Sequence, residues 1–185
     1  MSTAVTPAPV GSAPALRRLY FARSAFAIVW AALLVVSGGG PGAVTAVLVV
    51  LYPLVDVAAA VVDARTSRSS SSRWGLYLNI AISLIAAVGL GIALTSGIPA
   101  VLRVWGVWAV VAGLIQLAVG IERRALGGQW PMMLSGGISV LAGTGFFLMA
   151  AAPDPALLNV AGYATLGGIF FLVSALRLGR VTASN

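Results

Sequence analysis

Long apolar runs alternate with short polar segments along the chain. Six runs of 18 to 22 residues occupy positions 20–37, 42–62, 74–95, 100–121, 130–151 and 156–176. A helix rises about 1.5 Å per residue, so each run can cross a hydrocarbon core of roughly 30 Å. The runs lack the alternation of barrel strands, and an isolated segment in lipid must satisfy its own backbone hydrogen bonds. The pattern predicts an all-α integral membrane bundle of six transmembrane helices.

The polar connections predict how these helices pair. Short segments rich in Gly and Pro follow the first, third and fifth runs, at 37–42, 95–99 and 152–155. Such segments end one helix and start the next, which predicts three helical hairpins within a domain spanning residues 17–180. Residues 1–16 are small and polar with three prolines, and we expect a disordered tail there. Residues 181–185 form a short C-terminal tail.

The hairpins are predicted to be copies of one unit. Four pairs of corresponding residues are separated by 56 positions: Trp74 and Trp130, Asn79 and Ser135, Pro99 and Pro155, and Gly106 and Gly162. Regular spacing over a whole hairpin indicates an internal repeat, with units at about 18–73, 74–128 and 129–180. Each unit has two helices, so consecutive units share one orientation, unlike the inverted repeats of many transporters.

Several short motifs resemble those of a known family. They are the YPLVD segment at 52–56, the pairs Ala112-Gly113 and Gly167-Gly168, and the helix starts at Trp74 and Trp130. With these motifs, positions 19–180 resemble the HdeD-like acid-resistance membrane proteins, which consist of a short two-helix repeat of undefined general function. The resemblance implies an association with survival of acid stress.

Composition and charge fix the environment. Apolar residues make up 60% of the 185 positions, charged residues 8%, and the mean hydropathy is +1.04, so the main partner is the lipid bilayer. The net charge of +7 does not indicate nucleic-acid binding, because the arginines form short clusters between apolar runs. All eleven basic residues are Arg, which is typical of a GC-rich bacterial genome.

The arginines also predict orientation. Ten of eleven lie in the tail, the second and fourth connections and the C-terminus, whereas the opposite face carries only Arg103. The positive-inside rule therefore places both termini in the cytoplasm, which predicts a multi-pass protein of the bacterial inner membrane. Trp74 and Trp130 would mark one membrane boundary, and Trp105 and Trp108 the other.

Candidate chemistry is sparse. The chain has no Cys or His, so the usual ligands for zinc, haem or iron–sulfur clusters are missing and no metal or cofactor is expected. Its four acidic residues are scattered, and no nucleophile with a base stands out. The sequence therefore predicts a protein that is not an enzyme.

Ionisable and amide side chains at membrane depth form a candidate intramembrane polar network: Arg23, Asp56, Asn79, Gln116 and Ser135. Charge at that depth must be paired, hydrogen-bonded or neutralised. We expect Asp56 to pair with Arg23 across the first hairpin; a donor such as Gln116 or uptake of a proton are the alternatives. Asn79 and Gln116 are placed to share a hydrogen bond, and Pro53 is expected to kink the second helix near Asp56. Amides of this kind more often hold helices together than line a transport path.

The sequence is compatible with three functions. The first is a non-enzymatic, stress-associated membrane protein that acts through bundle packing, a membrane-protein partner or a homo-oligomer. The second is an accessory subunit of a larger membrane complex. The third is a small channel or proton-linked transporter, which would need a continuous polar path.

Overall fold

A computed structural model describes residues 12–66, 73–122 and 130–183, and throughout these ranges the chain is helical apart from short turns. The helices are α1 (Ser12–Val36), α2 (Ala43–Thr66), α3 (Arg73–Ala93), α4 (Ile98–Glu122), α5 (Trp130–Met149) and α6 (Leu158–Ala183). A 3₁₀ turn at Leu94–Ser96 follows α3. All six helices are long and apolar enough to cross a membrane, so the chain is an integral, multi-pass membrane protein.

The outer surface of the bundle is apolar. Large aliphatic side chains such as Ile85, Ile92 and Leu141 are exposed over two thirds or more of their area. In water such a surface would aggregate, whereas lipid chains cover it without cost. The described helices therefore present to the bilayer what a soluble protein would bury.

Short turns join α1 to α2, α3 to α4 and α5 to α6, and we call the end of the bundle where they lie the turn end. The α1–α2 turn contains Gly38 and Gly39 with φ of 74° and 61°, and Gly97, with φ of 85°, precedes α4. L-residues with a side chain are strained in this region, which explains glycine at these positions. The predicted connection 37–42 is confirmed as a turn. The predicted connection 95–99 is too long, since α4 already begins at Ile98 and includes Pro99, which the first turn of a helix tolerates.

The helices form a closed ring in chain order, with α6 returning to α1. The most extensive packing joins α4 to α5, α1 to α6 and α2 to α3, whereas α1–α2 and α5–α6 touch less. Helices joined by a turn are thus neighbours but not the closest partners. The arrangement as three repeated hairpins stays a prediction.

The interior is filled by aromatic and aliphatic side chains from several helices. Trp30, Leu34, Leu90, Leu102 and Trp105 are almost completely buried. Trp108 is also buried, with 9% of its surface exposed. The expectation that Trp105 and Trp108 mark a membrane boundary is therefore wrong: they point into the bundle, where their large rings bury most area.

Trp74 and Trp130, in contrast, are exposed by 40% and 61%. The indole nitrogen of Trp74 donates to Oε2 of Glu122 at 3.0 Å, and the guanidinium of Arg177 lies 5.9 Å from the ring centre of Trp130. Such amphipathic contacts are typical of side chains at the membrane surface.

Two predicted ends need correction. Residues 12–16, assigned to a disordered tail, belong to α1, because Pro14 lies in the first turn, where proline is tolerated. Residues 181–183, assigned to the C-terminal tail, continue α6. Positions 1–11 and 184–185 lie outside the described residues, as do the segments 67–72 and 123–129 at the predicted boundaries between repeats.

Candidate functional site

Asp56 is the acidic residue placed deepest in the bundle. It lies in α2, ten residues before Thr66, which corresponds to about 15 Å along the helix axis. Its side chain is 12% exposed. An ionised carboxylate at this depth is costly unless donors surround it.

Three donors from two other helices reach this carboxylate. Nη2 of Arg23, in α1, donates to Oδ1 at 2.5 Å. Nδ2 of Asn79 and Oγ of Ser83, both in α3, donate to Oδ2 at 2.6 and 2.9 Å. Hydrogen bonds to an ionised acceptor are stronger than neutral ones, so Asp56 connects α1, α2 and α3.

Ser83 extends the network to a fourth helix. Its hydroxyl is completely buried and accepts a hydrogen bond from Nε1 of Trp108, in α4, at 3.1 Å. The same hydroxyl donates to Asp56, so it acts as a hydrogen-bond donor to one partner and as an acceptor from the other. We call Arg23, Asp56, Asn79, Ser83 and Trp108 the Asp56 cluster.

The guanidinium of Arg23 also contacts α6. Its central carbon lies 4.2 Å from the centre of the Phe171 ring, within the range of a cation–π interaction. Arg23 therefore has an anion on one side and an aromatic face on another, and 23% of its side chain remains exposed. Through this contact the cluster touches α6 as well.

A small cavity lies beside the ion pair. Its volume is about 20 Å³, and its lining includes Arg23, Tyr52, Asp56 and Phe171. A cavity of about this size holds one water molecule when polar groups face it. No continuous polar channel is implied by a space this small.

An aromatic group packs next to the cluster. The ring of Tyr52 lies 4.7 Å from that of Trp30, 5.5 Å from that of Trp105 and 6.1 Å from that of Trp108. Nε1 of Trp30 donates to the carbonyl of Leu48 at 2.7 Å, five residues before the buried Pro53. Nε1 of Trp105 is buried without a partner among the described residues. Tyr52 precedes Asp56 by four residues in α2, which places this aromatic group on the turn-end side of the Asp56 carboxylate.

A second polar contact joins α5 and α6. The hydroxyl of Tyr163 donates to Oγ of Ser139 at 2.9 Å, and Ser139 is buried. Tyr163 also packs edge-on against Phe146. This contact resembles the one between Trp108 and Ser83, because in both an aromatic side chain donates to a serine on the preceding helix.

The structure brings together three of the five residues predicted for the polar network. Arg23 pairs with Asp56 as expected, and Asn79 joins them. The predicted hydrogen bond between Asn79 and Gln116 is not formed, because the Asn79 amide donates to the stronger, anionic acceptor. Within residues 12–66, 73–122 and 130–183, neither Gln116 nor Ser135 bonds to the cluster.

Ser83 and Trp108 are the members that sequence reasoning did not assign to the site. Ser83 follows Asn79 by four residues, so the two side chains share one face of α3, and this spacing is a usable signal. Trp108 gives no such signal, since its direction depends on how α3 and α4 pack.

The described residues contain no group of three or more carboxylate, His or Cys side chains that would hold a metal ion. No protein-family model, no curated protein and no solved structure matches this chain.

Proposed function

We propose that this protein is a non-enzymatic membrane protein in which the Asp56 cluster ties the helices together. The observation that carries the proposal is that both oxygens of Asp56 accept hydrogen bonds from side chains of neighbouring helices. A carboxylate held in this way stabilises helix association, since each donor is itself fixed by packing.

The surroundings of Asp56 favour this structural role over chemistry. A nucleophile or general base needs an open approach for its reacting partner. Asp56 is instead engaged by Arg23, Asn79 and Ser83, and the adjoining cavity has room for about one water.

For the biological role, we propose that the protein supports survival of acid stress at the bacterial inner membrane, with both termini in the cytoplasm. The support is the resemblance to HdeD-like proteins and the arginine distribution. The protein would act through the integrity of its bundle, through a membrane-protein partner or as a homo-oligomer.

A complementation experiment tests this role. A deletion strain of the host is challenged at low external pH after receiving the wild-type chain, Asp56→Asn, or Asp154→Asn as a matched change in the exposed α5–α6 turn. We expect wild type and Asp154→Asn to restore survival and Asp56→Asn to restore less. Full survival of the deletion strain would remove the stress role.

Purification in mild detergent tests the alternative that the protein is an accessory subunit. That alternative requires a partner protein that copurifies in a stoichiometric amount.

A small proton-linked transporter is the second candidate, and the water-sized cavity beside the Arg23–Asp56 pair is what favours it. Purified protein in liposomes with a pH-sensitive dye inside separates the two. Our first proposal predicts a proton flux equal to that of empty liposomes. A flux that is present in wild type and lost in Asp56→Asn, but kept in Asp154→Asn, would establish transport instead.

We also propose that the three hairpins are copies of one unit. Two observations support this. The aromatic-to-serine hydrogen bond occurs at Trp108–Ser83 and again at Tyr163–Ser139, positions that the 56-residue spacing makes equivalent within one residue. The closest helix pairs are also those expected between successive units of a closed ring, α2–α3, α4–α5 and α6–α1. Ala27 stands at the corresponding serine position of the first unit.

A further inference from the structure

A groove on the outside of the bundle runs between α3 and α4. Its volume is about 410 Å³, within the range of small-molecule sites. Apart from Arg103, its lining is apolar, with Ile85 and Val107 at the sides and the Trp108 ring among the deeper residues. The two helices that form it, α3 and α4, pack less extensively than α4 and α5.

Arg103 lies at the end of the groove nearest to the turn end. It is five residues after Ile98, or about 8 Å along α4, and it is exposed. In the described part of the chain it forms no ion pair, hydrogen bond or cation–π contact. A guanidinium near the membrane surface without a protein partner extends toward the headgroups, where phosphate is the matching anion.

The groove continues from Arg103 along the outside of α4 toward the middle of that helix. Val111, at its far end, is eight residues further along α4, which is about 12 Å. A cation at the surface with an apolar groove leading inward matches a phospholipid, which carries a phosphate above an acyl chain. Free phosphate would leave the groove unfilled, and a neutral diglyceride would leave Arg103 without an anion.

We propose that this groove binds one anionic phospholipid of the leaflet at the turn end, with the phosphate on Arg103 and an acyl chain between α3 and α4. Ile85, Val107 and Trp108 contact the chain. The bound lipid therefore contacts the Asp56 cluster through Trp108, whose indole donates to Ser83, which in turn donates to the Asp56 carboxylate.

Native mass spectrometry of the detergent-purified protein, titrated with phosphatidylglycerol, tests the proposal. Diacylglycerol with the same chains and inorganic phosphate serve as the chain-only and anion-only probes. We expect one tightly bound phosphatidylglycerol per chain, weaker binding of diacylglycerol, and no displacement of the lipid by inorganic phosphate.

Two variants test the two halves of the site. Arg103→Gln should weaken phosphatidylglycerol binding by about fivefold, the effect of one arginine near a membrane surface, and leave diacylglycerol binding unchanged. Val107→Trp fills the groove and should weaken both lipids by about tenfold or more, because roughly two methylene groups lose their contact. Val29→Trp is the matched control: Val29 is 58% exposed and Val107 52%, but Val29 lies on α1, away from the groove.

The variants are first checked for the wild-type size-exclusion profile and far-UV circular dichroism. Arg103→Lys keeps the charge and should retain most of the affinity for phosphatidylglycerol. If Val107→Trp does not fold, the comparison of Arg103→Lys with Arg103→Gln still tests the proposal. Equal phosphatidylglycerol binding by wild type and Arg103→Gln would overturn the proposal. So would equal weakening by Val29→Trp and Val107→Trp, which would indicate lipid bound anywhere around the bundle, or full displacement by inorganic phosphate.

Discussion

The Asp56 carboxylate has more donors than a simple ion pair provides. Arg23 supplies the opposite charge, and Asn79 and Ser83 supply two further hydrogen bonds to the other oxygen. In a low-dielectric interior both contributions matter: the pair cancels the net charge, and the neutral donors replace the water that the carboxylate has lost. The resulting arrangement keeps two charges within the apolar bundle.

Ser83 has a larger effect than its size suggests, because it serves two partners. Replacing it with alanine removes a donor to Asp56 and leaves the buried indole N–H of Trp108 without its acceptor. We expect Ser83→Ala to lower the free energy of unfolding by about 1–2 kcal/mol. The midpoint of thermal unfolding in detergent measures this.

Ser174→Ala is the matched control for this change. The Ser174 hydroxyl donates only to the Phe170 carbonyl of its own helix, so its loss should have little effect. The double variant Ser83→Ala/Trp108→Phe also removes the stranded N–H and should lose less than the two single losses added together. Equal losses in Ser83→Ala and Ser174→Ala would contradict the role given to Ser83.

Part of the site could be predicted from residue type and depth alone. The pairing of Arg23 with Asp56 follows from the cost of isolated charge, and that cost does not depend on packing details. The partner of Asn79 does depend on them: Gln116 lies at a suitable depth, but α3 turns its polar face toward α2. The direction in which a helix face points depends on all the side chains that pack against the helix. In a uniformly apolar sequence, the pattern of residues does not indicate that direction.

At the scale of helices, glycines allow the closest contact in the bundle. A Cβ atom on Gly106 would come within 2.6 Å of the Gly143 carbonyl oxygen, and one on Gly113 within 2.6 Å of that of Gly136. The two glycines on each helix are seven residues apart, so α4 and α5 meet along a stripe two turns long. Close backbone approach is a main source of helix association in lipid.

Gly113→Ala should therefore separate α4 from α5. The added methyl group has no room beside the Gly136 carbonyl, and we expect a loss of about 1–3 kcal/mol in the free energy of unfolding, as for other overpacked sites. Gly137→Ala, on α5 beside Gly136, meets nothing within 4 Å and should be neutral or slightly stabilising. Thermal unfolding in detergent compares the two, and similar losses in both would show that the stripe does not hold these helices together.

The existence of the helices was predictable, but their ends were less so. Six apolar runs gave six helices, because in lipid a helix satisfies every backbone group within its own segment. The ends differ where the helix continues beyond the long apolar run, as at residues 12–16 of α1 and 181–183 of α6. Hydropathy locates the membrane-spanning part, and helix propensity beyond it decides the rest.

At the scale of the whole molecule, the ring of helices was not predictable from the turns. Short turns make α1–α2, α3–α4 and α5–α6 neighbours, but the closest packing lies elsewhere, above all between α4 and α5. A turn fixes only proximity at one end, whereas glycine stripes and polar clusters decide which helices approach along their length.

Orientation in the membrane is a further whole-molecule prediction. We expect single cysteines at positions Ser2 and Ser184 to be protected from an impermeant thiol reagent in intact cells, and one at Asp154 to be labelled, because the sequence predicts ten of the eleven arginines on the side of the termini. The chain has no cysteine of its own, so the background is clean. Labelling after cell lysis is the control for Ser2 and Ser184, and the reverse pattern in intact cells would overturn the orientation.

A double-mutant cycle on Arg23 and Asp56 tests the central claim most directly, namely that the cluster holds the bundle together through this pair. Arg23→Gln and Asp56→Asn each leave one charge without its partner, and the double variant removes both charges. With Asp154→Asn as the control for an acid in an exposed turn, the free energy of unfolding is measured for each. We predict that the double variant loses less than the sum of the single losses, with a coupling of about 1–3 kcal/mol. Additive losses, or an effect of Asp56→Asn no larger than that of Asp154→Asn, would contradict the account.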